Sequence, residues 1–160
     1  MTVDWDKQID SKLKQNQIIL PPVPVPAGSY QPVVVAGHFA FLSGQLSRKA
    51  DGQLVTGKAG ADLTLAAAQE AARLAALNVV SVFRQFVGFD RFKRVIRLVG
   101  YVQAAPDFFQ ISQVMNGASD FMIELFGESG SHARSAVGMV SLPLNAAVEI
   151  EATIELRESK

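Results

Sequence analysis

The chain has 160 residues, 15 basic and 15 acidic side chains, two histidines and no cysteine, and 49% of it is hydrophobic. That length suits one domain with a real core, and the cancelled charge leaves no global field to draw the protein to nucleic acid or an anionic membrane. Without cysteine there is no disulfide framework, thiolate nucleophile or cysteine-ligated zinc or iron–sulfur site, and so rich an apolar content points to surface buried between subunits.

The opening run Met1-Thr2-Val3-Asp4-Trp5-Asp6 carries early acids and no apolar core of signal-peptide length. No apolar run approaches the roughly 20 residues of a membrane helix, so the expected location is the cytoplasm and no membrane partner is expected. Asp4 to Gln15 reads as a short amphipathic helix capped by Thr2 or Asp4, with Trp5, Ile9 and Leu13 on one face to pack on the main domain. Pro21-Pro22-Val23-Pro24-Val25-Pro26 then forces an extended connection, because proline fixes φ and removes the N–H. Residues 1–28 are thus set apart from a main domain over 29–160.

Val33–Ala36 and Phe39–Gln45 are short β-type runs joined near Gly37-His38, which predicts a hairpin. After a turn-rich stretch, Asp62 to Phe86 reads as a long helix whose many alanines allow close approach to a sheet. Arg94 to Ala104 is a strand rich in β-branched residues, Pro106-Asp107 starts a second helix running to Phe126, and Gly127 stops it. A strand follows over Ser135–Leu142, and then Val148–Leu156 alternates cleanly, with Glu149, Glu151 and Glu155 on the polar side. The order ββαβαββ after an N-terminal helix predicts an α+β domain with two helices on one face of a mixed sheet.

Chemistry-bearing residues are few. His38 and His132 make no spaced metal motif, so no metal is expected. No glycine-rich phosphate loop precedes a helix, and Ser43-Gly44-Gln45 lacks the context of a nucleophile elbow. Arg134 enters a strand from the Gly/Ser-rich loop 127–131, flanked by small residues that leave its guanidinium accessible. A planar fork there suits a carboxylate, although a surface arginine paired with a glutamate fits the same pattern. The glutamates of the last strand read either as a solvated sheet face or as a source of one carboxylate that orients a water.

The run Ala133-Arg134-Ser135-Ala136-Val137-Gly138, continuing through Leu142-Pro143 to Val148-Glu149-Ile150-Glu151-Ala152, closely resembles the signature of the Rid family, also called YjgF. Tyr30, the Ser43-Gly44-Gln45 corner and Asn116 stand in the family's order, so the resemblance spans about 29–156 and leaves the N-terminal helix and proline run outside it. It departs from well-studied members at Ala136, where cysteine is frequent, at His132, where proline is common, and in a longer segment around 83–94.

The resemblance implies a chorismate mutase-like fold, a homotrimer with ligand clefts between neighbouring subunits, and hydrolysis of enamines and imines such as 2-aminoacrylate to 2-oxo acids and ammonia, with no cofactor. In that reading Arg134 anchors the substrate carboxylate through two parallel hydrogen bonds and Glu149 holds the attacking water. The main chain at Ser43, Gly44 and Gln45, the Tyr30 ring from across the interface and Asn116 complete the cleft. A non-catalytic trimer that binds 2-oxo acids is the alternative. Endoribonuclease activity, a label some relatives carry, is disfavoured by zero net charge and by the lack of a histidine pair for acid–base cleavage.

Overall fold

The structure, a computed structural model, describes residues 4–158. Helix α1 (Trp5–Gln15) is capped by Asp4, whose carboxylate accepts from the Lys7 N–H, and it buries the expected stripe of Trp5, Ile9 and Leu13. Thr2, the other expected cap, lies outside the described residues. The buried stripe belongs to the same hydrophobic cluster as the sheet and the long helices. Lys12 strengthens the docking, because its Nζ donates to the carbonyls of Glu124 (3.2 Å) and Leu125 (3.0 Å), where a helix C-terminus attracts a cation.

Strands β1 (Val33–Ala36) and β2 (Phe39–Leu46) form the expected hairpin, with Ala36 opposite Phe39. Gly37 has φ +57° while His38 keeps negative φ, the pattern of a type II′ turn, which matches the strand twist. Helix α2 (Leu65–Phe86) starts later than Asp62, since the Thr64 hydroxyl caps it by accepting from the Ala67 N–H. Asp62 serves the preceding turn and accepts from the Lys58 N–H.

Strand β3 (Phe92–Gln103) begins ahead of Arg94, because Phe92 already pairs with Leu156 of β5 (Val148–Leu156). Helix α3 (Ile111–Phe126) begins well after Pro106. The Ala105 N–H bonds the Ala59 carbonyl and the Phe108 N–H folds back on the Ala105 carbonyl, so Pro106 opens a turn that is pinned to a neighbouring loop. Strand β4 (Ala133–Met139) starts and ends earlier than the predicted Ser135–Leu142, matching the length over which β3 can pair with it. The buried Gln103 side chain at the end of β3 holds the irregular chain that follows: it accepts from the Leu142 N–H and donates to Asn145 Oδ1.

The sheet runs in the order β1-β2-β5-β3-β4, antiparallel except for the β3/β4 pair that α3 connects. The alanine-rich face of α2 lies against β2 and β5, while α3 covers β3 and β4. Along β5 the residues Val148, Ile150, Ala152, Ile154 and Leu156 are buried under the helices, as the alternation predicts. The opposite face leaves Phe39, Phe41, Val137 and Met139 exposed beside Glu149 and Glu151.

The long 83–94 segment has a packing reason. It supplies Phe83, Phe89 and Phe92, which join Phe126 around Trp5: the Phe92 and Phe126 rings stack at 4.3 Å, and Trp5 meets Phe92 edge-on at 5.0 Å. Each such pair adds about 0.5–1.5 kcal/mol beyond the area it buries.

Candidate functional site

The predicted residues fall into two neighbourhoods, one at the β4 edge of the sheet and one around β2 and β5. At the β4 edge, Arg134 pairs in register with Leu98 of β3, which pairs with Ala152 of β5, so its side chain leaves the sheet on the helix side. There α3 receives it. Nη1 donates to Asn116 Oδ1 and to Ser119 Oγ, both at 3.0 Å, and Nη2 donates to the Ser112 carbonyl at 3.1 Å and to its hydroxyl at 2.8 Å. The open fork expected from the sequence is instead engaged at both terminal nitrogens, and the Nε–H is the donor left for a further partner.

His132 supports this arrangement. Its Nδ1 lies 2.6 Å from the Gly130 carbonyl, which can only accept, so Nδ1 carries the proton; a neutral Nε2 then accepts from the Ser119 hydroxyl at 2.9 Å. The Ser119 oxygen is thereby turned toward Arg134. Burial lowers the His132 pKa and the nearby Arg134 charge lowers it further, against the opposing hydrogen bond to Gly130.

The second neighbourhood lies where β2 runs past the end of β1. A cleft of about 290 Å³ there is lined by Tyr30, Gly44, Gln45 and Glu149 of the predicted set. The register of β2 against β5 slips between Leu42 and Gln45, a bulge that re-aims the Ser43-Gly44 corner. Glu149 packs directly over Gly44, where any Cβ would overlap its carboxylate. Burial pushes the Glu149 carboxyl above the usual glutamate range, and the like charge of Glu151 acts in the same direction. Glu151 itself accepts from the Tyr101 hydroxyl at 3.2 Å.

Ser43 has a different use. Its hydroxyl donates to the Gln31 carbonyl at 2.6 Å and its N–H to the Pro32 carbonyl, which ties the chain entering β1 to β2. Gln45 is buried and its Nε2 donates to the Ser43 carbonyl. Among the described residues no three histidine, aspartate or glutamate side chains gather to hold a metal ion.

Arg134 and Asn116 therefore meet, and Tyr30, Gly44, Gln45 and Glu149 meet, but one copy of the chain does not unite the two sets. Glu149 lies one residue out of phase with Ile150 and Ala152, on the sheet face opposite Arg134. Sequence reasoning missed Ser112, Ser119 and His132. The first two sit at i and i+7 around Asn116 at i+4, one polar stripe of α3 that helical periodicity could have flagged.

A five-stranded mixed sheet with two helices on one face is the chorismate mutase-like α+β architecture. The chain belongs to the YjgF/chorismate mutase-like family, whose model, with endoribonuclease named beside it, matches residues 10–156. That span reaches back through the proline run into α1. The chain is 42% identical over 158 residues to Protein TCP17 of Trypanosoma cruzi, covering 98% of this chain and 99% of that one. It is 29% identical over 138 residues to the 2-iminobutanoate/2-iminopropanoate deaminase of Dermatophagoides farinae, covering 86% and 93%. The crystal structure of Atu1372, a protein of unknown function from Agrobacterium tumefaciens, matches with a TM-score of 0.86 at 38% identity over 96% of each chain.

Proposed function

We propose that the protein is a hydrolytic deaminase of reactive enamines and imines of the 2-aminoacrylate type, working as a homotrimer whose clefts lie between neighbouring copies. The observation that carries this reading is the half-buried Glu149 carboxylate packed over Gly44 in the cleft, with the nearby Ser43 hydroxyl already committed to the Gln31 carbonyl. A carboxylate with a raised pKa is a better base near neutral pH. An imine carbon is already electrophilic, so placing the substrate and its water does much of what catalysis requires.

In the proposed reaction 2-aminoacrylate takes a proton at its methylene carbon, gives one up from its nitrogen and becomes 2-iminopropanoate. Its carboxylate binds Arg134 through Nε–H and Nη2–H, displacing the Ser112 contacts from Nη2. Water adds to the imine carbon as Glu149 removes its proton, and the nitrogen is protonated. The carbinolamine then passes its hydroxyl proton to the nitrogen as the carbon–nitrogen bond breaks. One water is consumed, and ammonia and the 2-oxo acid leave.

The homotrimer is part of the proposal because Arg134 and Glu149 occupy opposite faces of one sheet, so a neighbouring copy has to bring them together. The exposed Phe39, Phe41, Val137 and Met139 supply apolar area for that contact. A second reading, a trimer that binds 2-oxo acids without turnover, is favoured by the engagement of both Arg134 terminal nitrogens. Ammonia release from freshly generated 2-aminoacrylate separates the two. Wild type is expected to accelerate it and Arg134→Ala to lose the acceleration; equal rates for both proteins would remove Arg134 from the mechanism. Stabilisation by 2-oxobutyrate without turnover of any imine would establish the second reading.

A further inference from the structure

The cleft beside Glu149 is larger than 2-aminoacrylate requires. Its volume of about 290 Å³ is near the lower end of small-molecule sites, roughly 300–1,000 Å³. A substrate with one methylene beyond its reacting carbon would leave most of that space to solvent.

Beside Glu149, Gly44 and Tyr30 the lining includes Val23, Val25 and Pro26 of the proline run, Val82 of α2 and Leu144, which give it apolar surface. In one copy Val25 is 88% exposed and Leu144 69% exposed, so the rim of this surface is open, while Val82 at its base is buried. The polar residues of the lining are largely occupied in holding the walls. Asn78 Nδ2 donates to the carbonyls of Arg48 and Leu74 at 2.8 Å, and Arg48 Nη1 donates to the Gly52 carbonyl at 2.8 Å. The proline run needs little further ordering, because ring closure already restricts φ at Pro24 and Pro26.

From this we infer that the chamber receives the substrate's side chain and makes the protein selective for imino acids with branched or aromatic apolar side chains, the proline run acting as the specificity wall. The inference rests on the deaminase reading, which places the reacting carbon beside Glu149. Arg48 is the lining's cation, so an imino dicarboxylate is the competing substrate class that the test must exclude.

Imines generated by amino-acid oxidases from L-alanine, L-leucine, L-phenylalanine and L-glutamate provide the test. Wild type should show kcat/KM at least about tenfold higher for the leucine- or phenylalanine-derived imine than for the alanine-derived one, since a methylene in an apolar pocket discriminates by roughly 10–200-fold. Val25→Trp, which fills the chamber from its exposed rim, and Val25→Asp, which charges it, should each lower that ratio toward one. A ratio near one in wild type, a ratio that neither variant moves, or a preference for the glutamate-derived imine would overturn the inference and leave the deaminase reading standing. If no imine is turned over, the readout is thermal stabilisation: 4-methyl-2-oxopentanoate exceeding pyruvate supports the chamber while the deaminase reading fails, and equal stabilisation overturns the chamber as well.

Discussion

At the β4 edge Arg134 is fixed by directed bonds from one helix, Ser112, Asn116 and Ser119 each accepting from its guanidinium. On the central strand β5, Glu149 sits in a cleft whose walls are mostly apolar, and burial first and Glu151 second raise its pKa. One half of the candidate site is tuned by geometry and the other by desolvation, so damage to each should be recognisable by its kind. Under the proposed function, loss of a directed bond should weaken binding, whereas loss of the half-buried carboxylate should slow a chemical step.

Glu149→Gln is expected to have the largest effect, lowering kcat on the order of 10²–10⁴-fold, the usual contribution of a positioned acid–base group. Binding of 2-oxobutyrate, measured by calorimetry, should survive the change; loss of both would erase the distinction between the two neighbourhoods. Arg134→Lys keeps the charge and removes the planar fork. It should weaken 2-oxobutyrate binding by roughly tenfold to a hundredfold, the equivalent of about one charged hydrogen bond, and unchanged affinity would show that the fork is not used.

A third comparison sharpens the electrostatic half. Because the Glu149 pKa is raised, the rising limb of the rate–pH profile should lie above the usual glutamate value of about 4.3. Glu151→Gln removes the second cause, so the limb should move to lower pH without returning fully, since burial remains. A limb that moves upward or stays in place would assign it to another group. The smallest effect concerns His132, whose folded-state pKa is lowered. The unfolded chain then takes up the proton first, so this contribution to stability is complete above about pH 6.5 and declines as pH falls through that value. Urea midpoints across that range should fall less for His132→Gln than for wild type.

The fold was readable where a local pattern decides it. The β5 alternation, the II′ hairpin at Gly37-His38 and the stripe of α1 all occur where periodicity and turn chemistry place them. The start of α3 was not, because the Ala59 carbonyl holds Ala105 in a turn and that bond joins distant parts of the chain. Arg134 and Glu149 stood out by motif. Their separation across the sheet depends on pairing β4 with β3 and β3 with β5, which no window of sequence contains. The proline run could be read as extended, while its role as a cleft wall arises from its placement beside β2 and Val82.

Trp5 gives the molecule an optical property. It is the chain's single tryptophan, 6% exposed, with Phe92 edge-on and, among the described residues, no acceptor for its indole N–H. Intrinsic emission therefore reports whether the first helix is seated on the aromatic cluster. Followed beside circular dichroism, it gives a clock for the unseating of α1 that is separate from the melting of the sheet.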